Sequence, residues 1–331
     1  MLRITFINVG YGDSIVVEEL EGSKKAFAML VDAGPPFEGE HSSDYGAKSD
    51  HIPTIAYLKE HGIEKLDIIF LTHFHIDHIG GIPSVMRGIP FGEVWANYRL
   101  PSTLPTVAKA LGPKCRPESA VMRRSLELLD EMESIARSKG KDIKAISQHR
   151  FGENLTSALS TDIYAVNPSM ATNMDRLVNR VYANIADETE SALFALDQTQ
   201  NASCAALRLL YKGRSALLAA DLPHGYWSPL IDGGHSLKAD ILKFPHHGQA
   251  DGASSKFAAA VAPSHVVFCV SADNPFGCPR PSAFSPFSKD VRFHATGNIN
   301  MPPMLAPTLP HRAVIFELHD DGNLDWNIEA S

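Results

Sequence analysis

The sequence predicts an α/β sandwich, because strand-rich regions occupy both halves of the chain and helical segments separate them. The clearest strand is residues 66–71, a nearly continuous apolar run that is typical of a strand buried on both faces. The clearest helix spans residues 117–139, where apolar side chains recur at helical spacing until Gly140. Neither a glycine-rich dinucleotide fingerprint nor a phosphate-binding P-loop is present in the sequence.

Short apolar and β-branched runs, bounded by Gly, Pro and Asp, predict the remaining strands. These are residues 2–9, 14–18, 26–31, 162–166, 205–210, 215–220, 241–244, 265–270 and 313–318. A short helix begins at Thr54 and is closed by Gly62. Residues 169–199 have the pattern of a helical insertion, whereas residues 35–50 and 273–312 have the composition of loops.

Length and composition fit one large domain over residues 1–331, or one domain with a sizeable insertion. The formal charge of −8 disfavours broad, non-specific contact with nucleic acid, which depends on Lys and Arg. The N-terminus lacks the features of a signal peptide, and no apolar stretch approaches the ~20 residues that span a bilayer. Four cysteines are scattered without paired metal spacing, as expected for reduced thiols: Cys115, Cys204, Cys269 and Cys278. We therefore expect a cytoplasmic protein without a membrane partner, and its protein partners stay unknown.

A histidine-rich loop follows the strand at residues 66–71. Four potential metal ligands lie within six positions there: His73, His75, Asp77 and His78. Imidazole and carboxylate groups are ligands that zinc and similar divalent metals accept. Alternation at 73, 75 and 77 points those side chains together, and the adjacent Asp77 and His78 can turn towards a second ion. A His-rich surface turn is the alternative, but so dense a set directly after an apolar strand favours a metal site.

The motif H-x-H-x-D-H resembles the signature of the metallo-β-lactamase superfamily. Three further segments resemble that superfamily in order: Leu30–Gly34 with its upstream aspartate, Leu217–Asp221 with an aspartate that bridges two metals, and Lys243–Gly248 with a late histidine ligand. The resemblance implies the αββα sandwich of that superfamily. Helical insertions would then lie at about residues 100–145 and 169–199.

Further motifs resemble the hydrolase domain of ComEC-type competence proteins. Phe6–Ser14 is similar to the F-x-D-V-G-Q-G-D-[AS] opening of that branch, and Asn201–Ser203, His246–Gly248 and Asn274–Gly277 follow in order. The sequence also departs from the branch at four positions: Asn8 replaces Asp, Tyr11 replaces Gln, His75 stands where Asp is common, and Cys278 stands where His is common.

The resemblance implies a ligand set for two metal ions. Its members are His73, His75, Asp77, His78, Asp221 and His246. Of the adjacent histidines we favour His246 as the ligand, because it comes first after the strand, and His247 as a donor of a hydrogen bond or proton. Asp221 has a simpler alternative role as a turn former or helix cap.

Three residues are expected to support the ligands from outside the coordination shell. Asp32 would accept a hydrogen bond from a ligand histidine, and Asn201 and Ser203 would lie nearby. The usual third histidine of the first metal site is not evident in the sequence. Water would complete that site, or another residue such as His149 or His224, although each of these alone is better explained as a surface histidine.

These residues predict hydrolysis by a hydroxide held on one or two metal ions, with zinc expected and manganese as an alternative. Asp77 would orient the hydroxide, and His247 would assist the developing oxyanion or the leaving group. We expect a phosphodiester substrate, either a small molecule or a nucleic acid. The alternatives are a lactone, thioester or β-lactam-like acyl substrate, and a catalytically degenerate binding or regulatory module, which the missing third histidine favours.

Overall fold

The structure is a computed structural model that describes residues 1–22, 24–38, 51–102, 104–107, 116–165, 168–271, 274–299 and 310–331. Eight strands within these ranges form the first sheet. They are β1 (Leu2–Ile7), β2 (Ile15–Glu21), β3 (Lys24–Val31), β4 (Leu66–Leu71), β5 (Phe91–Ala96), β6 (Ile143–Ala145), β14 (His311–Leu318) and β15 (Leu324–Ala330). Their order is β15-β14-β1-β2-β3-β4-β5-β6, and β3 to β6 run parallel.

The second sheet holds seven strands among the described residues. They are β7 (Arg150–Asn154), β8 (Leu159–Tyr164), β9 (Ala206–Tyr211), β10 (Arg214–Leu218), β11 (Ile241–Lys243), β12 (His265–Phe268) and β13 (Arg292–Ala295). Their order is β13-β12-β11-β10-β9-β8-β7, and β10 to β13 run parallel. Each sheet therefore has one antiparallel part and one parallel part.

Helices cover the outer faces of both sheets. The described helices are α1 (Thr54–Glu60), α2 (Ile76–Ile79), α3 (Ile82–Gly88), α4 (Pro117–Ser138), α5 (Pro168–Tyr182), α6 (Ala186–Gln200), α7 (His224–Asp232) and α8 (Ser255–Val261). Short 3-10 turns occur at Asn201–Ser203, Pro245–Gly248 and Pro281–Ala283. None of the helices in the described part of the chain is long and apolar enough to cross a membrane.

Three apolar clusters separate these layers. One lies between the sheets and joins side chains such as Phe6 and Phe316 with Leu207 and Leu209. The second packs the first sheet against the helices that include α3 to α6, and the third packs the second sheet against α7 and α8. Burial of a face on each sheet and a stripe on each helix gives the layer order helix, sheet, sheet, helix. The predicted αββα sandwich is therefore confirmed.

The prediction was most accurate where the sequence pattern was longest. The strand at residues 66–71 is β4, and the helix predicted at 117–139 is α4, which ends at Ser138. The predicted insertion at 169–199 consists of two helices, α5 and α6. The single-domain assignment over residues 1–331 stays a prediction.

Some elements were missed or fall outside the described residues. The described part of segment 273–312 is mostly loop, as predicted, but it also contains β13, a four-residue edge strand whose polar residues hide its pattern. The edge strand β15 was also missed. Cys204, Cys269 and Cys278 are free and buried, in line with the expectation of reduced thiols. Cys115, Val166, residues 39–50 and residues 300–309 lie outside the described residues.

Two histidines on neighbouring strands of the second sheet form a buried pair. His265 Nδ1 lies 3.0 Å from His294 Nε2, and the ring of Trp326 packs 4.6 Å from that of His294. Burial lowers the pKa of His294 to about 3, helped by the charges of His265 and Arg292. Burial and the charge of Arg292 lower the pKa of His265 to about 4. The fold therefore holds both imidazoles in the neutral form.

This pair predicts a loss of stability in mild acid. Below the unfolded-state pKa of about 6.5, unfolded histidines take up protons that the folded pair does not, so the free energy of unfolding falls towards about pH 4. The expected slope is up to about 1.4 kcal/mol per pH unit for each histidine. His294→Gln should reduce the slope measured by urea denaturation, whereas His224→Gln, at the exposed start of α7, should not. Equal slopes for wild type and His294→Gln would contradict this assignment.

Candidate metal centre

Parallel strands bring the candidate residues together at their carboxyl ends. In the first sheet, β3 leads into Asp32 and β4 leads into the loop with His73 to His78. In the second sheet, β10 leads towards Asp221 and β11 leads into His246 and His247. Since parallel strands end at one edge of their sheet, residues distant in sequence meet there, as ligands do in other open α/β sheets.

Four buried side chains converge on one point at this edge: Asp77, His78, Asp221 and His247. The two Nε2 atoms of His78 and His247 lie 3.2 Å apart. Asp221 Oδ2 is 3.4 Å from the first and 3.1 Å from the second, and Asp77 Oδ2 is 3.8 and 3.2 Å from them. Ligands bonded at about 2.0–2.1 Å to a tetrahedral ion lie about 3.3 Å from each other. The spacing of these atoms therefore fits a single divalent ion.

Hydrogen bonds orient both imidazoles of this cluster. His78 Nδ1 donates to Asp32 Oδ2 at 2.8 Å, and His247 Nδ1 donates to the Cys269 carbonyl at 3.0 Å. Asp32 is itself fixed by Thr72, whose backbone N–H and hydroxyl donate to it at 2.8 and 2.7 Å. With Nδ1 committed as a donor, Nε2 presents its lone pair to the cluster. Asp32 thus accepts a hydrogen bond from a candidate ligand histidine, and its supporting role stays a prediction.

The backbone is strained around the cluster. Asp32, Ala220, His246 and His247 all have φ between 50° and 55°, in the left-handed region that non-glycine residues rarely adopt. Each of these residues stands just beyond the end of a strand. Such strain persists only where the surroundings enforce it, and it is common at functional sites.

The carboxylates and imidazoles of the cluster shift one another's pKa values. Burial would raise the pKa of Asp77, but His78 and His247 hold it at about 2. Burial likewise opposes ionisation of Asp221, yet His247, Lys243 and His78 hold its pKa well below the usual range. Burial would lower the pKa of His247, but Asp221 and Asp13 raise it to about 9. The carboxylates therefore stabilise positive charge at this point, whether it comes from protons or from a bound cation.

A buried lysine braces the cluster from behind. Lys243 Nζ contacts Asp13 Oδ2 at 2.6 Å and Asp221 Oδ1 at 3.1 Å, and it donates to the Ala220 carbonyl at 2.9 Å. Because Lys243 occupies Oδ1, Asp221 directs Oδ2 towards the two imidazoles. Sequence reasoning missed this lysine, although a lysine that ends an apolar strand run is itself a signal of a buried partner.

A second pair of histidines lies beside the cluster. His73 Nε2 and His75 Nδ1 are 3.1 Å apart, and His75 Nε2 donates to the Asp197 carbonyl at 3.2 Å. Burial and the neighbouring His78 and His75 lower the pKa of His73 well below its usual value, so its imidazole is neutral. Both facing nitrogens are therefore available as ligands for a second ion.

Asn201 and Ser203 occupy the region where a third histidine was sought. Asn201 Nδ2 donates to His246 Nε2 at 3.0 Å, and its buried Oδ1 has no hydrogen-bond partner in the described part of the chain. Ser203 Oγ donates to the Gln200 carbonyl and accepts from Asn97, so it stabilises the turn at 201–203. The orphaned oxygen of Asn201 is an acceptor that would suit a cation or a donor group of a substrate.

His149 and His224 do not complete the second pair. His149 Nδ1 accepts a hydrogen bond from the backbone N–H of Ala165, and its ring packs near Phe151 and His235. His224 is exposed at the start of α7. The alternative in which water completes this pair is therefore the better one.

The structure gives different places to the two adjacent histidines. His247 is fully buried in the cluster, whereas His246 lies outside it. His246 Nδ1 donates to Asp251 Oδ1 at 2.9 Å, and its Nε2 faces Asn201. We therefore propose His247 as the ligand and His246 as the residue that faces the substrate, which exchanges the roles favoured from the sequence.

A pocket of about 460 Å³ opens directly onto this centre. Its described lining includes His75, Asp77, Asn201, Asp221 and His246, so candidate ligands form its floor. The sequence could not assign a purpose to the helical insertions. Side chains of α4 and α6, Val121, Asp197 and Gln198, line one wall of the pocket.

Comparison with known proteins finds a likeness to the metallo-β-lactamase superfamily in the first third of the chain. A family model described as metallo-beta-lactamase superfamily matches residues 7–110, which contain the histidine loop. The chain is 43% identical over 60 residues to a hydroxyacylglutathione hydrolase of Aliivibrio salmonicida (strain LFI1238). That stretch is 18% of this chain and 23% of the relative, so the chain matches under a quarter of that protein's length.

The solved structures to which the chain is similar are distant in sequence. A diphosphatase from the PhnP family is 14% identical with a TM-score of 0.40, and the match covers 100% of each chain. Human tRNase Z, short form, is 11% identical with a TM-score of 0.37, over 80% of this chain and 91% of that one. The diiron β-hydroxylase CmlA from Streptomyces venezuelae is 12% identical with a TM-score of 0.39, over 87% and 48%. The likeness to the metallo-β-lactamase superfamily is thus found over residues 7–110, and the ComEC-type resemblance stays a prediction.

The positions of the adjacent histidines predict opposite effects of two alanine variants. His247→Ala should weaken zinc binding by roughly 100-fold or more, because losing partners outside the coordination shell alone costs about 10–100-fold. His246→Ala should change zinc affinity by less than about 5-fold, since its contacts lie outside the cluster. Competition with a chromophoric chelator measures both affinities, and circular dichroism checks the fold. A larger loss in His246→Ala than in His247→Ala would contradict the assignment.

Proposed function

We propose that this protein is a metal-dependent hydrolase. The observation that carries the proposal is the buried convergence of Asp77, His78, Asp221 and His247 at the floor of an open pocket. Buried charges at such close range need compensation, and two pre-oriented Nε2 lone pairs are suited to a cation. This combination of imidazole and carboxylate favours zinc, with manganese as an alternative.

The residues divide into two adjacent ligand sets. Asp77, His78, Asp221 and His247 would hold one ion, and His73 and His75, again with Asp221, would hold a second. A bound divalent metal would supply Lewis-acid polarisation of the scissile group and lower the pKa of water enough to make it a nucleophile near neutral pH. The sequence resemblance implies that Asp221 would serve both sets, and Lys243 restrains its Oδ1.

His246 is placed to move a proton at the pocket wall. Its Nδ1–H is committed to Asp251, so Nε2 accepts a hydrogen bond from Asn201. The hydrogen bond from His246 holds the pKa of Asp251 below its usual range despite some burial, which keeps this orienting carboxylate charged. A histidine oriented by a carboxylate, with its other nitrogen towards the substrate space, is the arrangement of a general acid or base.

A phosphodiester is the substrate class that we favour. Phosphoryl transfer is an in-line displacement in which both the attacking and the leaving oxygen need stabilisation, and two neighbouring ligand sets would suit that requirement. His246 and Asn201 add groups on the pocket side that can meet the remaining oxygens. The substrate would be a small phosphodiester or the end of a nucleic acid.

A thioester is the second candidate. It is favoured by the 60-residue likeness to a hydroxyacylglutathione hydrolase, an enzyme named for an acylated glutathione substrate. The same polarisation and water activation would serve a carbonyl carbon. A degenerate binding module is a third outcome, which metal content and turnover together would reveal.

Turnover of two matched substrates tests the proposal. Zinc- or manganese-loaded protein should hydrolyse bis-p-nitrophenyl phosphate faster than S-lactoylglutathione, and removal of the metal with a chelator should abolish the activity. Asp77→Asn should lower kcat by at least roughly 100-fold while the fold is kept, because a charged ligand is lost. Asp67→Asn is the matched control, since Asp67 on β4 binds the backbone of Ala28 away from the pocket.

Three results would count against the proposal. Unchanged kcat in metal-loaded Asp77→Asn would show that Asp77 takes no part in catalysis. Faster cleavage of the thioester would replace the phosphodiester assignment. Less than one equivalent of bound metal with no turnover of either substrate would favour a degenerate module.

A further inference from the structure

An aromatic wall runs from the cluster to the mouth of the pocket. The ring of Tyr11 lies 4.5 Å from that of His247 at an angle of 46°, and 4.8 Å from that of Phe276 at 40°. Tyr11 is buried, whereas Phe276 is 37% exposed, and both line the pocket. A planar group that enters the pocket therefore meets an aromatic surface next to the candidate metal ligands.

The loop that carries Phe276 is braced rather than loose. Asn274 Nδ2 donates to the carbonyls of Ser271 and Cys278 at 2.7 and 2.8 Å, and its Oδ1 accepts from the Cys278 backbone N–H at 2.8 Å. Gly277 supplies the turn with a φ of 63°. An exposed aromatic ring held in this way is pre-organised for contact, which reduces the entropy lost when a ligand binds.

Tyr11 and Cys278 are two of the positions at which the sequence departs from the ComEC-type pattern, and they are neighbours in the structure. The thiol of Cys278 interacts with the hydroxyl of Tyr11. Cys278 therefore supports Tyr11, whose ring lines the pocket.

Much of the remaining lining of the pocket is polar and acidic. Asp77, Asp197 and Asp221 contribute carboxylates, and Gln198 and Gln249 contribute amides. Carboxylates disfavour additional phosphates beyond the one at the metal centre, because like charges repel. Amides can exchange hydrogen bonds with the edge of a heterocycle. The volume of about 460 Å³ suits one small ligand, within the roughly 300–1,000 Å³ of ordinary ligand sites.

We propose that the pocket recognises a small nucleoside phosphodiester, whose base stacks on Phe276 and Tyr11 while its phosphate meets the cation that Asp77 and Asp221 would hold. This inference rests on the proposed phosphodiester hydrolysis and narrows its substrate class. Base–aromatic stacking is tolerant of base identity, because every nucleobase has a π-face. The aromatic wall would therefore favour ligands that carry a nucleobase, without a preference for one base over another.

Three monophosphates that differ in the group attached to the phosphate test this inference. Metal-loaded protein is titrated with AMP, with its abasic analogue 1-O-methylribofuranose 5-phosphate, and with hexyl phosphate, and binding is measured by calorimetry. AMP should bind roughly 5- to 150-fold more tightly than the abasic analogue, which corresponds to stacking of about 1–3 kcal/mol. Hexyl phosphate should bind more weakly than AMP, because an alkyl chain does not stack.

Two variants locate the effect. Phe276→Ala should reduce the ratio of AMP to abasic affinity by at least about 5-fold. Phe151→Ala, which removes another exposed aromatic ring on β7 away from the pocket, should keep the wild-type ratio. Equal affinities for AMP and the abasic analogue in wild type would overturn the inference, as would hexyl phosphate binding as tightly as AMP.

The two levels of the proposal fail separately. If bis-p-nitrophenyl phosphate is hydrolysed but AMP binds no more tightly than its abasic analogue, the proposed base stacking is wrong. The proposed phosphodiester hydrolysis is then still supported. If no phosphodiester is cleaved and none of the three phosphates binds, the proposed function itself is wrong.

Discussion

The buried contact between two carboxylates and two imidazoles is the constraint on which the rest of the structure depends. Asp77 and Asp221 are held ionised although both are buried, and the Nε2 atoms of His78 and His247 lie within 3.1–3.8 Å of them. Burying such charge is unfavourable unless partners and hydrogen bonds compensate. The surroundings of the cluster supply that compensation in three layers.

The nearest layer orients the ligands, and the next restrains the backbone. Asp32 and the Cys269 carbonyl fix the Nδ1 atoms of the two histidines, and Lys243 fixes the far oxygen of Asp221. Left-handed φ values at four residues then show that strand ends are bent away from their preferred conformation to reach these positions. The outermost layer is the pair of packed sheets, whose parallel strands deliver every one of these residues to a shared edge.

The sequence predicted the parts of the site that are local. His73 to His78 are contiguous and follow the apolar strand β4, so the sequence alone predicts that these side chains lie close together at the end of that strand. Asp32 could be assigned because it follows a strand in the same way. The fold class was also accessible, since it follows from the alternation of long strand and helix patterns.

Other features depend on geometry that a pattern does not contain. The choice between His246 and His247 is decided by two successive left-handed residues, which turn the second imidazole rather than the first into the cluster. The contact of Lys243 with Asp13 joins residues far apart in the chain, so neither predicts the other. The edge strand β13 is short and polar, and its place in the sheet comes from pairing with β12 and not from its own composition.

Anomalous diffraction from crystals of the zinc-loaded protein is the most direct test of the central claim. We expect an ion about 2.0–2.1 Å from the Nε2 atoms of both His78 and His247, with carboxylate oxygens of Asp77 and Asp221 completing its coordination. An ion bound through His246 in place of His247 would contradict it. So would a hydrolytically active protein with no ion at this cluster.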